Sequence, residues 1–258
     1  IYNSFSDNNG ITWSEPYRLS KKAGSSAGGI NMLRLVVPSI GSNGEVYVAW
    51  AWRNDAEETG IIFDKFLDGG ISLLDEDIFV SNMPGGSQFS IPGIYQQSDG
   101  TDPGTGWPHT VCDTSGSEYH GTIYIAWADL RNGSDDSDIW ISKSSDGGDS
   151  WIGPIRVNDD PLGSHQFFPA ITIDQTNGNI YLLFYDRRNH TDNATDVYLA
   201  ISKDGGQTFS NIKINETPFT PNDAVFFGDY IGIIAHDDMI RPVWTELEGA
   251  VIGIFTAI

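Results

Sequence analysis

Polar side chains of five chemical kinds stand near the starts of segments that we predict to be strands. They are a guanidinium, imidazoles, a carboxamide, a carboxylate and a phenol, which together can bind a polar ligand through charge and hydrogen bonds. The residues are Arg34, His109, His165, Gln166, Asp229 and Tyr230. Because they differ between repeats of the chain, whereas the segments around them recur, we predict a ligand-binding site here. Solvation of an exposed rim is the alternative interpretation.

Arginine also recurs in the loops that follow three predicted strands. The segments WRND, DLRN and DRRN carry Arg53, Arg131 and Arg188. The planar fork of arginine suits a carboxylate ligand. A residue that is repeated in successive units most often serves each unit, however, so we expect these arginines to pair with the nearby Asp138 or Asp196.

The same loops are acidic, with the runs NDAEE, NGSDDSD and NHTDNATD. Carboxylates are the hard oxygen ligands that Ca²⁺ prefers, so calcium is one interpretation. The spacing of the acidic residues does not follow the twelve-residue calcium loop, and a solvated acidic surface is the favoured interpretation. We therefore expect no metal and no cofactor. Cys112 is the single cysteine, which excludes an internal disulfide and a thiolate metal cluster.

The elements that must position these residues repeat along the chain. The octapeptides SSDGGDSW (144–151) and SKDGGQTF (202–209) align with SDNNGITW (6–13) and with a degenerate copy at 66–73. In phase with them recur VYVAW, IYIAW, IYLLF and IRPVW, which are typical of strands, and three of these follow a tight glycine turn. No segment shows a helical period. Such antiparallel four-stranded units predict an all-β fold, a β-propeller with Asp-Gly hairpin turns.

The octapeptide itself is built as a turn. Asp-Gly-Gly supplies positive φ at low cost, and a carboxylate and a hydroxyl two to four residues apart can hold the loop rigid. Its pattern resembles the Asp-box, or BNR, repeat of the sialidase-like propellers. The matching residues are Ser6, Asn8, Gly10, Trp13, Ser144, Asp146, Gly148, Trp151, Ser202, Asp204, Gly206 and Phe209. The resemblance implies that these turns are structural and lie away from the ligand pocket.

The resemblance also suggests catalytic residues, since a retaining sialidase uses an arginine triad, a tyrosine nucleophile with a glutamate, and an aspartic acid. Tyr230 resembles the nucleophile and Glu246 its partner, and Asp229 is a further acidic candidate. The chain departs from the pattern because it has no Arg-Ile-Pro motif and only Arg34 at the strand starts. We therefore expect a module that binds a glycan or another protein in the central pocket, with glycoside hydrolysis as the alternative.

Bulk properties limit the partners and the number of domains. The 258 residues fit one large all-β domain over 1–258, with partial units at both ends. The formal charge of −21 repels phosphate backbones and anionic membrane surfaces, so nucleic acid is not an expected partner. No stretch has the length of a membrane-spanning helix, and membrane insertion is not expected. The acidic charge and the resemblance favour an extracellular or cell-surface location.

Overall fold

A computed structural model describes residues 2–21, 33–53, 59–67, 76–87, 89–94, 105–225, 227, 231–249 and 251–257. Of residues 33–35, 53, 59 and 248 it describes the backbone alone. Within these ranges the chain forms strands, turns and irregular segments, and no helix.

The strands form a short ribbon and four sheets in chain order. The N-terminal ribbon pairs β1 (Tyr2–Asn3) with β2 (Tyr17–Arg18). Sheet 1 contains β3 (Leu33–Ile40), β4 (Val46–Arg53), β5 (Thr59–Phe66) and β6 (Ile78–Asn82). Sheet 2 contains β7 (His109–Cys112), β8 (Ile123–Asp129), β9 (Asp138–Ser144) and β10 (Ile152–Arg156). Sheet 3 contains β11 (Gln166–Ile173), β12 (Ile180–Asp186), β13 (Asp196–Ser202) and β14 (Ser210–Lys213), and sheet 4 contains β15 (Gly232–His236), β16 (Met239–Glu248) and β17 (Val251–Thr256).

Every sheet is antiparallel, and its strands are neighbours in the order in which they follow along the chain. The first strands contact each other from sheet to sheet, β3 with β7, β7 with β11 and β11 with β15. Successive up-and-down sheets with adjoining first strands are the arrangement of a β-propeller. The predicted all-β propeller fold is confirmed.

The core lies between the sheets. All residues of β8 and β12, the second strands of sheets 2 and 3, are buried, because each of these sheets has protein on both faces. Such strands read as continuous apolar runs rather than as alternating ones. The largest apolar cluster joins sheets 2, 3 and 4, a second joins sheets 1 and 2, and a third joins the ribbon to sheet 1.

The hairpins between first and second strands follow the sequence signals. Gly44, Gly121 and Gly178 have φ of 87°, 81° and 80°, as the predicted glycine turns require. In sheet 4 the turn consists of Asp237 and Asp238, which adopt φ of 52° and 59°. Aspartate tolerates this left-handed conformation better than most residues, so a two-residue hairpin forms without glycine.

The turn at 144–151 is closed by its own polar side chains. The Ser144 hydroxyl donates to Asp146 Oδ1 at 2.7 Å and accepts from the Gly148 amide at 2.8 Å. Asp146 Oδ1 also accepts from the Ser150 amide at 2.9 Å. The turns at 202–209 and 6–13 have the same pattern, with Asp204 and Asn8 as the acceptors. We call these three segments the octapeptide turns; the degenerate copy at 66–73 lies outside the described residues from 68 onwards.

Two octapeptide turns are seated against the preceding sheet. In the turn of sheet 2, Trp151 packs edge-on against Phe63 of β5, with ring centroids 5.1 Å apart. Lys65 of the same strand donates to the Gly147 carbonyl at 2.7 Å, and Lys143 of β9 donates to the Gly205 carbonyl of the next turn at 2.6 Å. In the first turn, by contrast, the Trp13 side chain is 65% exposed, so its aromatic residue does not enter a buried layer.

Alanine at Gly148 tests this seating. A Cβ there would lie 2.2 Å from Phe63 Cε1, and the φ of 92° is already unfavourable for alanine. Gly10 is the matched control, because it has a φ of 80° at the same place in the first turn and nothing within 4 Å of its Cβ. We expect Gly10→Ala to cost about 1–2 kcal/mol from backbone strain. In urea unfolding, Gly148→Ala should lower the free energy of unfolding by about 1–3 kcal/mol more than Gly10→Ala does, because its Cβ overpacks against Phe63. Equal losses would contradict the seating.

Removal of the Asp204 carboxylate tests the polar closure of the turn. Burial alone would raise the pKa of Asp204, but hydrogen bonds from Thr208 and Ser202 lower it to about 2. We expect Asp204→Ala to lower the free energy of unfolding by about 0.5–2 kcal/mol at neutral pH. Because the carboxylate stabilises the fold only while ionised, the difference should shrink as the pH falls from about 4 towards 2. A difference that does not depend on pH would exclude this role.

Candidate functional site

A cavity of about 610 Å³ opens where loops of sheets 3 and 4 meet the connection between them. Its wall combines a carboxylate at the end of β16, the β12–β13 loop, the segment after β14 and a glycine from the segment before β7. The described lining residues are Gly93, Asn193, Thr217, Pro218, Phe219, Thr220, Pro221, Asn222, Asp223, Glu246, Leu247 and Gly249.

The connection that forms most of this wall is fixed by backbone and amide hydrogen bonds. Thr195 and Phe219 exchange both backbone hydrogen bonds, at 2.8 and 3.1 Å. The buried Asn215 accepts from the Val197 amide at 2.8 Å and donates to the Thr217 carbonyl at 2.8 Å. Two prolines further restrict the segment TPFTPND, 217–223. The wall is thus held in place before any ligand binds.

Gly93 brings the segment between sheets 1 and 2 up to this wall. Its φ is 77°, and a Cβ there would lie 2.6 Å from Asn193 Nδ2. Only glycine permits both the conformation and the approach. Ile91 and Ile94 on either side are buried and anchor the segment.

Glu246 is the one sequence candidate among the described side chains that lines the cavity. It is 7% exposed, and its Oε1 accepts a hydrogen bond from the Trp244 indole at 2.7 Å. Asp129 accepts from the Trp127 indole at 2.7 Å in the same way in sheet 2. Trp244 stacks on Phe255 at 20°, as Phe184 stacks on Tyr198 in sheet 3. Glu246 is therefore the counterpart, in sheet 4, of Asp129 and Asp186.

The repeated arginines pair with these carboxylates. Arg131 Nε donates to Asp129 at 2.9 Å, and Arg188 Nε donates to Asp186 at 2.8 Å. Each guanidinium also lies over an aromatic ring, 4.4 Å from Trp140 and 4.2 Å from Tyr198 respectively. The corresponding residue of sheet 4 is Glu248. In the sequence an acid therefore stands in sheet 4 where sheets 2 and 3 have an arginine.

The predicted pairing of the arginines with Asp138 or Asp196 is wrong. Those aspartates lie directly opposite Asp129 and Asp186 in the sheets, and two facing carboxylates repel. Each acid therefore has its own cation, Arg156 for Asp138 at 2.5 Å and Lys213 for Asp196 at 2.7 Å. Arg53 is also one position earlier than the other two arginines when β4, β8 and β12 are aligned by register, and its side chain lies outside the described part.

Gln166 links sheet 2 to sheet 3 through hydrogen bonds. It is fully buried, and its Oε1 accepts from Asn158 at 2.7 Å. Its Nε2 donates to Asp160 at 3.1 Å and to Asp186 at 3.2 Å. Burial raises the pKa of Asp186, against the opposing effect of Arg188. The amide thus faces a closed polar network and not the cavity.

The two candidate histidines lie apart from the described cavity wall. His165 is 8% exposed, and its Nδ1 is 3.0 Å from the Ser137 hydroxyl. Burial, and then the charge of Arg187, lowers the pKa of His165. His109 opens β7, where burial lowers its pKa to about 4. Arg34 lies in β3 with its side chain undescribed, and Asp229 and Tyr230 lie outside the described residues.

Sequence reasoning missed Arg187, which holds together two segments next to the cavity wall. It is 4% exposed and donates to the Pro92 carbonyl at 2.8 Å and to the Thr195 hydroxyl at 3.1 Å. Its guanidinium lies over the Phe167 ring at 5.3 Å, and burial lowers its pKa to about 10. Within the described residues its Nη2 has no hydrogen-bond partner, and no ion pair joins the guanidinium to a carboxylate. The pattern DRR, which differs from DLR, was the available signal.

Among the described residues, no helix could span a bilayer. No group of three or more histidine, cysteine, aspartate or glutamate side chains among them has the arrangement of a metal site.

No protein-family model matches the chain, and no curated protein matches it significantly. Solved structures with a similar fold include the Hadza microbial sialidase, with a TM-score of 0.53 and 17% identity over 87% of this chain and 44% of that one. The α-L-arabinanase of Penicillium chrysogenum, solved with arabinobiose, has a TM-score of 0.52 and 13% identity over 99% and 70%. A family 117 glycoside hydrolase of the marine bacterium Zobellia galactanivorans has a TM-score of 0.52 and 12% identity over 93% and 70%.

At identities of 12 to 17%, these likenesses show the fold alone. The chain spans 44 to 70% of the length of these three structures.

The charge state of His109 gives a direct test of the geometry around β7. The pKa of about 4 predicts a neutral imidazole at pH 6, where an exposed histidine is largely protonated. We expect the NMR titration of its ring protons to have a midpoint near 4. Because the unfolded state binds the proton first, stability should fall as the pH drops from about 6.5 to 4. A midpoint near that of a histidine peptide would contradict the burial.

Proposed function

We propose that this chain is a carbohydrate-binding β-propeller and that the cavity at Glu246 is its glycan pocket. The observation that carries the proposal is the cavity lining, in which one buried carboxylate faces amides, hydroxyls and an aromatic ring. The octapeptide turns would then be Asp-boxes of a sialidase-like propeller, residues 1–258 one domain, and the protein extracellular or bound to a cell surface.

The lining chemistry suits a sugar. Carboxylate and amide oxygens accept from hydroxyl groups, and amide N–H groups and hydroxyls donate to sugar oxygens. Asn193, Asn222, Thr217 and Glu246 supply these groups, and Phe219 offers an apolar surface for the C–H face of a ring. A preformed cavity of a few hundred Å³ with a few fixed polar groups is the usual form of a small-ligand site.

The comparisons support a glycan-related role. The neighbours named as a sialidase, an arabinanase and a glycoside hydrolase act on carbohydrates by their names, and one was solved with a disaccharide. A protein ligand in the same pocket is the alternative. In that case we expect this protein to bind no saccharide.

Glycoside hydrolysis is the second candidate function. Two carboxylates, Asp223 and Glu246, both line the cavity, one exposed and the other buried. Most glycosidases use such a pair, with the less solvated carboxyl as the acid. Tyr230, with Asp229 beside it, remains the nucleophile that the resemblance suggests for this reaction.

Binding through Glu246 can be tested with Glu246→Gln. The amide keeps an oxygen that can accept from Trp244 but has no charge. We expect the affinity for glycans that bind the native protein, selected on an array and measured by calorimetry, to fall about 10-fold or more. The control is Glu216→Gln, an exposed acid of the same connection that is not among the described lining residues. Unchanged affinity in Glu246→Gln would exclude this pocket.

The same proteins separate binding from hydrolysis. Fluorogenic glycosides, sialosides included, should release product with the native protein and not with Glu246→Gln if the chain is a hydrolase. Glycan binding without product release would identify a binding module.

A further inference from the structure

We propose that Tyr185 is a positioning residue of the cavity and that it fixes the wall at Glu246 relative to the wall at Phe219. Both of these residues line the cavity, Phe219 on the connection that follows β14 and Glu246 near the end of β16. Tyr185 is not among the described lining residues, so it can act on a ligand only through the two walls. Its effect on binding rests on the glycan pocket proposed above.

The ring of Tyr185 packs against the Phe219 wall. Tyr185 is fully buried, and its ring lies edge-on to the Phe219 ring with centroids 5.6 Å apart. Phe227 completes the contact, because its ring is 5.6 Å from Tyr185 and 5.3 Å from Phe219. Three mutually packed rings in a close-packed interior leave little freedom to any one of them. The position of Phe219 in the wall is thus tied to that of Tyr185.

The hydroxyl of Tyr185 holds the backbone that leads into Glu246. Its Oη donates to the Thr245 carbonyl at 2.8 Å and accepts from the Thr245 amide at 3.2 Å, and the Thr245 hydroxyl lies 3.1 Å away. Burial, and in smaller part the charge of Glu246, raises the pKa of Tyr185. The hydroxyl therefore keeps its proton at neutral pH and remains a donor. One side chain of sheet 3 thus fixes the residue of sheet 4 that precedes Glu246.

The strand pairing in sheet 4 explains why these backbone groups need a partner. The last described pair of β15 with β16 is Gly232 with Val243. Bonding to one neighbour recurs at every second residue of an antiparallel strand, so the Thr245 amide and carbonyl point to the same side as those of Val243. The Tyr185 hydroxyl satisfies both groups beyond that last pair. Because a backbone donor or acceptor without a partner costs free energy, loss of the hydroxyl should make this segment shift.

The repeat of the sheets shows that this tyrosine is an exception. When β4, β8 and β12 are aligned by register, Tyr185 corresponds to Ala51 and Ala128, which are both buried. A methyl group has neither donor nor acceptor, so the alanines of sheets 1 and 2 cannot bond to a neighbouring sheet through their side chains. Packing of the sheets therefore does not require a tyrosine at this position. The tyrosine occurs in sheet 3, which borders the cavity together with sheet 4.

The first measurement needs no ligand. The Trp244 indole N–H donates to Glu246, so its NMR signal, assigned by its response to Glu246→Gln, reports the position of the carboxylate. We expect this signal to move in Tyr185→Phe, which keeps the ring and removes the hydroxyl alone. An unchanged signal would overturn the proposal.

Tyr181→Phe is the matched control for this measurement. Tyr181 is buried in the same strand, four residues and about 13 Å before Tyr185. We expect Tyr181→Phe to leave the Trp244 signal in place. Thr245→Val gives a second test should Tyr185→Phe not fold, because it removes the hydroxyl 3.1 Å from Tyr185 Oη and keeps both backbone bonds. It should move the signal in the same direction by a smaller amount, and no movement would overturn the proposal.

The second measurement is the affinity, per folded molecule, for arrayed glycans that the native protein binds. By calorimetry we expect Tyr185→Phe to weaken binding about 3- to 10-fold and Tyr181→Phe to leave it unchanged. Because Tyr185 acts through the position of Glu246, the same change should weaken binding by less than about 2-fold in a protein that already carries Glu246→Gln. A loss of stability alone would not produce this dependence.

The outcomes separate this inference from the glycan pocket. If the Trp244 signal moves but no arrayed glycan binds the native protein, the glycan pocket is wrong and the fixed wall stands. If glycans bind in a Glu246-dependent way but Tyr185→Phe keeps the native affinity, the pocket stands and the positioning role is overturned. Weakening by the same factor with and without Glu246→Gln would also overturn it.

Discussion

The close seating of an octapeptide turn on the sheet before it is the contact on which the arrangement of the sheets depends. Twisted sheets that pack face to face need a fixed distance and a fixed rotation, and apolar side chains alone specify neither strongly. The ring of Phe63 against the backbone of Gly148, closed by Trp151, sets the distance. The lysine bonds to Gly147 and Gly205 set the rotation, because each joins one atom of a strand to one carbonyl of the next sheet's turn. Hydrogen bonds within the turn keep that carbonyl in place.

Because the octapeptide turns seat the sheets at one end of the strands, the opposite ends do not take part in this contact. In sheet 3 the octapeptide turn follows the C-terminal end of β13, whereas Asn193 and Thr195, beside the cavity, precede its N-terminal end. A strand of seven residues separates the two ends by about 20 Å. Loops at the far end can therefore change in length and charge without loss of the sheet packing. The octapeptide turn and the cavity wall therefore lie at opposite ends of β13.

Local chemistry explains which parts of this fold the sequence could predict. The strands, the glycine hairpins and the turns at 144–151 and 202–209 depend on neighbouring residues, and each was predictable from its own segment. The choice of Asp129 over Asp138 as the partner of Arg131 was not, because Arg156 reaches Asp138 only after β9 and β10 pair. The burial of Gln166 was not either, because Asn158 and Asp186 meet it only after sheets 2 and 3 pack. Phe168 is a further case, since no sequence signal predicts a φ of 52° at a buried phenylalanine within β11. The cavity was missed for the same reason, although its polar segment TPFTPND is visible in the chain.

The cavity opens beside sheet 4, which lacks the pair of facing carboxylates found in sheets 2 and 3. In sheets 2 and 3 two carboxylates face each other across neighbouring strands, and two basic side chains balance them, which fills the corner with side chains. In sheet 4 Glu246 faces Gly253, so the second carboxylate of the pattern is absent and no side chain stands opposite Glu246. The Trp244 hydrogen bond keeps Glu246 in the orientation of its counterparts, at a place where the facing residue is a glycine. A scaffold that repeats its packing can therefore change the shape of one sheet by the exchange of a facing carboxylate for glycine, without any new supporting element.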